Sequence, residues 1–264
     1  MRWFCLFAAL YTAPGWCQET SKPPALGVAK VGQPPAVSDK VRAAAIERWG
    51  DEIKKLEALD AQEPDPQDAV LFVGSSSIRR WDDIEIDMAP YHPIRRGYGG
   101  AKYSDVAVFA ARLLQPHQYR ALVLFVGNDV TGKPDDPEPG QVERWVRSII
   151  SVSHEHQPQS PVFLIEVTPT EKRFAAWPRI RAVNASLREV ALSTPDTYFI
   201  ATAGQFLDPK GHPRDEFFVD DRLHLNGAGY DLWSELIRRR LDEVFRMTEE
   251  VRALGHSTVE TASK

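Results

Sequence analysis

Towards the C-terminal end of the chain Asp221 stands three residues before His224, and about 150 residues earlier an apolar run ends in Gly74-Ser75-Ser76-Ser77-Ile78. A carboxylate in a turn beside an imidazole can hold one ring nitrogen and leave the other free as a base. A serine at a strand end can offer its hydroxyl to that base, which is how acyl-transfer enzymes make a nucleophile. The chain therefore reads as a serine hydrolase. Each half has a plainer reading when taken alone: serine clusters cap helices, and an Asp and His beside a helix start can simply be surface residues.

Two further segments carry residues suited to the same chemistry. Gly97-Tyr98-Gly99-Gly100-Ala101 precedes a helical pattern, and its glycines can bring backbone N–H groups close to a ligand, although a plain loop is equally consistent. It has no third correctly spaced glycine and no acidic partner downstream, which excludes a dinucleotide fingerprint. Gly127-Asn128-Asp129 ends another apolar run; an Asn there can donate its amide to a developing oxyanion, or the segment can be an ordinary turn.

Composition narrows the alternatives. The chain has 264 residues and a formal net charge of -5, a mild acidity that argues against nucleic acid as the main partner. Its 2 cysteines, Cys5 and Cys17, both fall in the N-terminal segment, leaving no thiolate for a metal or a nucleophile in the remainder. The 7 histidines are scattered, and His154 and His156 are spaced so that they do not share a helical face. No metal site and no organic cofactor are expected.

The elements that must position these residues follow from patterning. Residues 1–17 combine Arg2, an apolar run from Trp3 to Tyr11 and the short stretch Ala13-Pro14-Gly15-Trp16-Cys17, the layout of a secretory signal peptide. The run is far short of the ~20 residues a membrane span requires, so secretion or periplasmic residence without stable membrane insertion is expected. Residues 18–37 read as a linker and 38–254 as one domain, with a disordered tail over 255–264. Within the domain, continuously apolar runs at Val70–Val73, Ala121–Val126, Pro161–Val167 and Thr197–Ile200 predict strands. Helical periodicity between and around them, at Val41–Leu59, Tyr103–Leu114, Gly140–His156, Pro178–Ser193 and Gly227–Glu250, predicts a parallel sheet covered on both faces. Trp81, Tyr98, Trp177, Phe217 and Phe218 lie near predicted loops where they could wall a sugar or acyl group, yet aromatic residues more often serve the core.

Taken in order along Val70–Leu236, the strand-end serine, the glycine, the asparagine and the Asp-x-x-His pair resemble the four blocks of the GDSL/SGNH hydrolase family. The resemblance implies a flavodoxin-like three-layer α/β/α sandwich around a central parallel sheet. It also implies Ser76 as nucleophile, His224 as general base and Asp221 as its orienting carboxylate, with the Ser76 and Gly100 N–H groups and the Asn128 amide as oxyanion-hole donors. The chain departs from the family pattern twice. Ser75 stands where an aspartate usually precedes the nucleophile, and Gly127 is followed directly by Asn128 where one residue usually intervenes. The function implied is hydrolysis of carboxylic esters, short acyl or acetyl and including carbohydrate esters, through an acyl-enzyme. A hydrolase fold without activity that binds a glycan or a partner is the alternative.

Overall fold

The computed structural model describes residues 37–262. The expected signal peptide and, apart from Val37, the linker lie outside these described residues. The chain opens with α1 (Asp39–Asp60), started by Ser38, whose Oγ accepts from the Val41 N–H at 3.4 Å, and docked through Ala45, Trp49 and Ile53. Then come β1 (Val70–Gly74), the short helices α2 (Ser76–Arg79) and α3 (Ile84–Asp87), β2 (Pro93–Gly97) and α4 (Tyr103–Leu114). β3 (Ala121–Phe125), α5 (Pro139–His156), β4 (Val162–Ile165), α6 (Trp177–Ser193) and β5 (Thr197–Ile200) continue the alternation. Short 3₁₀ turns over Glu171–Ala176, Ala203–Phe206 and Asp215–Phe217 punctuate the later loops, and α7 (Gly227–Ala262) closes the chain.

Every strand pair is parallel, in the order β2-β1-β3-β4-β5. This is the flavodoxin-like order, and the three-layer α/β/α architecture expected from the sequence is the one observed. The strands are apolar on both faces because both are covered. Leu71, Val73, Leu122, Leu124, Val162 and Leu164 share one core with α1, α4, α5 and α6, while Val70, Phe72, Val123, Phe163 and Ile165 face α7 in the other. The chain reverses direction across the sheet between β1 and β3, and a crevice outside the carboxyl ends of the strands is where such folds bind ligands.

Three features differ from the sequence reading. β2 is a strand that the apolar pattern does not reveal, because in Pro93-Ile94-Arg95-Arg96-Gly97 two consecutive arginines follow Ile94. An edge strand pairs on one side only, and here Arg96 Nε donates to Asp60 at 2.6 Å while Arg95 Nη1 donates to Asp82 at 2.9 Å. α7 runs to Ala262, so helix occupies most of the stretch from Gly255 expected to be a disordered tail. The aromatic wall does not form as a group: Trp81 and Tyr98 are fully buried in the core, and Phe218 and the half-buried Trp177 pack against core residues.

Candidate active site

Ser76 begins α2 directly after β1, and a tight junction puts it there. A Cβ on Gly74 would lie 2.0 Å from the Phe125 carbonyl oxygen, so only glycine lets β1 pass β3 this closely at its end. The Ser75 N–H donates to Phe125 O at 3.0 Å, and Ile78 and Arg79 donate back to Ser75 O, which turns the chain sharply into α2. As a first-turn residue Ser76 has a backbone N–H with no partner within the helix, free to point at a ligand.

His224 arrives from the other end of the chain on a turn shaped by its own aspartate. Asp221 Oδ1 accepts from the backbone N–H groups of Leu223 and His224, each at 2.9 Å, and the turn passes through Arg222 at φ 52°. Asp221 Oδ2 lies 2.6 Å from His224 Nδ1, and His224 Nε2 lies 2.9 Å from Ser76 Oγ. A carboxylate only accepts, so Nδ1 carries the proton, leaving neutral Nε2 to accept from the Ser76 hydroxyl. Partial burial raises the Asp221 carboxyl, but the hydrogen bonds from the His224 ring and from the two backbone N–H groups outweigh it and hold the pKa down at about 2. Arg80 approaches the same carboxylate at 3.6 Å from the solvent side.

These residues open on a cavity of about 30 Å³ lined by Ser76, His224 and Asn128 together with Phe125, Thr168, Thr170 and Arg173. Such a volume holds about two or three water-sized groups. Thr168 and Thr170 are buried, and their hydroxyls have no hydrogen-bond partner among the described residues. Asn128 donates from Nδ2 to the Ala101 carbonyl at 3.1 Å and accepts at Oδ1 from Arg173 Nη2 at 2.7 Å. Gly100 is not among the cavity-lining residues: it sits in the turn before α4, where an added Cβ would meet only Arg48 Nη2 at 3.9 Å. The structure thus brings Ser76, His224, Asp221 and Asn128 together and leaves Gly100 outside the cavity wall.

Several supporting residues escape a reading of the sequence. Asp129 is buried and accepts from the Tyr103 N–H with both oxygens, at 3.2 and 3.1 Å, tying the end of β3 to the start of α4; burial pushes its pKa up to about 7. Asn184 of α6 clamps the loop after β4 by accepting from Val167 N at 2.9 Å and donating to Val167 O at 3.0 Å. That loop delivers Thr168, Thr170 and Arg173. Nothing in their spacing marks them: Asp129, Asn184 and Arg173 meet Tyr103, Val167 and Asn128 at separations of 26, 17 and 45 residues.

The family model for GDSL-like lipases and acylhydrolases matches residues 73–232, which span the serine turn, the asparagine and the Asp-His turn. The chain belongs to this family. Membership supports a hydrolase. Among solved structures, a Streptococcus pneumonia protein provisionally described as a platelet activating factor is 19% identical, with a TM-score of 0.65, covering 77% of this chain and 100% of that one. A GDSL-like lipase from Bacteroides thetaiotaomicron is 18% identical with a TM-score of 0.61, over 73% of this chain and 98% of its own. A carbohydrate esterase family 3 protein from Talaromyces cellulolyticus is 16% identical with a TM-score of 0.51, over 67% and 98%. At these identities the likeness is one of fold. No curated protein sequence gives a significant match.

Proposed function

We propose that this GDSL-family protein is an exported serine esterase that cleaves short acyl or acetyl esters, carbohydrate esters among them, through an acyl-enzyme on Ser76. The observation that carries the reading is the unbroken chain Asp221–His224–Ser76, with contacts of 2.6 and 2.9 Å. In the first step Ser76 Oγ attacks the ester carbonyl carbon while His224 Nε2 takes its proton. His224 then gives that proton to the departing alkoxide oxygen, and the acyl group stays on Ser76. A water deprotonated by His224 attacks this acyl-enzyme, the carboxylic acid leaves, and the proton returns to Ser76 Oγ. In this reading the first-turn N–H of Ser76 and the Asn128 amide, both on the cavity wall, donate to the oxyanion of each tetrahedral intermediate.

The small volume beside Ser76, about 30 Å³, supports a small acyl group. Export rests on the signal-like segment over 1–17. Two measurements test the proposal. Wild-type protein should label with a fluorophosphonate probe and hydrolyse p-nitrophenyl acetate faster than its octanoate, and Ser76→Ala should lose both activities while melting at the wild-type temperature. Dead Ser75→Ala or Ser77→Ala variants beside an active Ser76→Ala would reassign the nucleophile. An unlabelled wild type would favour a non-catalytic binding module instead.

A further inference from the structure

Arg173 is a half-buried cation that lines the Ser76 cavity and forms no ion pair among the described residues. Asp129 and Asp136 are the acidic side chains whose charge it feels, and neither lies within salt-bridge distance. Its guanidinium is instead directed at the end of β3, where Nη1 donates to the Gly127 carbonyl and Nη2 donates to Asn128 Oδ1 at 2.7 Å. We infer that Arg173 is a positioning residue for the reaction proposed above: it locks the Asn128 amide in the one orientation that turns an N–H towards the developing oxyanion.

A carboxamide can be rotated so that either its oxygen or its nitrogen faces the cavity, and oxygen facing an oxyanion would be repulsive. Arg173 can only donate, so the end it touches must be Oδ1. The Ala101 carbonyl can only accept, so the other end must be Nδ2, at 3.1 Å. With a donor-only group on one side and an acceptor-only group on the other, the flipped amide would lose both bonds. Nδ2 has two hydrogens and Ala101 takes one, which leaves a second donor on a residue that lines the cavity. Arg173 spans two successive residues at the end of β3, bonding the Gly127 carbonyl and the Asn128 side chain together. The backbone supports the reach: Arg173 breaks its 3₁₀ turn at φ -120° and ψ 15°, with its N–H bonded to Thr170 O at 3.1 Å. The guanidinium, which forms no ion pair among the described residues, also brings positive charge to the cavity where negative charge develops.

The test combines kinetics with a signal that does not depend on turnover. Arg173→Ala should lower kcat on p-nitrophenyl acetate by about a hundredfold, the scale of a mispositioned catalytic donor, with KM changed by less than about threefold. The same substitution made in Asn128→Ala should add less than about threefold, because residues acting as one unit are not additive. Arg173→Lys should stay close to Arg173→Ala, since an ammonium lacks the rigid planar fork that places two N–H donors on the two acceptors, and added guanidinium should restore part of the Arg173→Ala rate. Independently, the Asn128 side-chain amide should give two sharp, exchange-protected proton signals in the wild type that broaden in Arg173→Ala. Multiplicative losses in the double variant, a rise in KM with kcat intact, or an Asn128 amide signal unchanged by Arg173→Ala would each overturn the inference. A wild type without Ser76-dependent turnover would instead overturn the esterase reading, and the amide signal would still decide the clamp.

Discussion

His224 has its two ring nitrogens in different company, and that asymmetry sets how the site should respond to pH. Asp221, held at about 2, stays ionised throughout the useful range, so loss of activity on acidification belongs to the imidazole, which cannot accept the Ser76 proton once it carries one of its own. Hydrolysis is expected to be sustained at neutral and mildly alkaline pH and to fall in acid, and a flat profile from about pH 5 to 9 would count against a histidine base. The stability that Asp221 gains from its hydrogen bonds is fully present above its unfolded pKa of about 3.9 and is lost as pH falls towards 2. Asp221→Asn should keep the turn yet favour the wrong ring tautomer, with kcat down by about 10³- to 10⁴-fold. Asn128→Ala should cost about a hundredfold in kcat with KM nearly unchanged, and Asn128→Asp at least as much, because it replaces a donor with an acceptor. The Asp-His pair was legible in the sequence because three residues of turn join them. The contact of Arg173 with Asn128 was not, because the two lie 45 residues apart and only the fold of the loop after β4 brings them together.

At the level of elements, the site depends on close packing at strand ends more than on the strands themselves. Gly74→Ala would drive a methyl group into the Phe125 carbonyl, displacing either β3 or the turn that holds Ser76. A stability loss of about 3 kcal/mol is expected, at the upper end of overpacking effects, with activity falling further than the melting temperature alone explains. Gly100→Ala is the matched control, since its Cβ would make only an ordinary contact with Arg48 Nη2 at 3.9 Å and the backbone N–H remains; stability should change by less than about 0.5 kcal/mol and turnover by less than about twofold. The central strands could be read from their continuous apolar runs because both their faces are buried. β2 could not, because Arg95 and Arg96 find acceptors on neighbouring loops and helices, a solution invisible to periodicity. Asp129 escaped for the same reason: next to Asn128 it looks like a turn residue, yet it is the carboxylate that anchors α4.

Across the whole molecule, the second core joins the nucleophile turn to the last helix. Trp81 stacks on Tyr230 at 5.3 Å, Trp233 packs edge-on to Phe125 at 4.6 Å, and the Tyr230 hydroxyl donates to the Ser77 carbonyl at 2.9 Å. Trp233→Ala empties a fully buried site in this cluster. It should cost about 3–5 kcal/mol, which in a domain of this size lowers the melting temperature by roughly 6–20 °C, measurable by calorimetry. The layered architecture was legible because strand and helix patterns alternate; the aromatic layer was not, because Trp81 lies in a segment with no periodicity of its own and shows its burial only once α7 is in place.

The same contact has a consequence in time. Asn226 starts α7 by accepting from the Gly229 N–H at 3.0 Å, just after His224, and the serine it must serve lies 148 residues earlier. During synthesis, Ser76 and its turn emerge long before the imidazole exists, and the contact that steadies the Ser77 carbonyl arrives later still, with the final helix. An incomplete chain therefore holds a serine with no base and cannot attack an ester. Onset of hydrolysis should coincide with docking of the C-terminal segment and should not precede it in any shorter fragment.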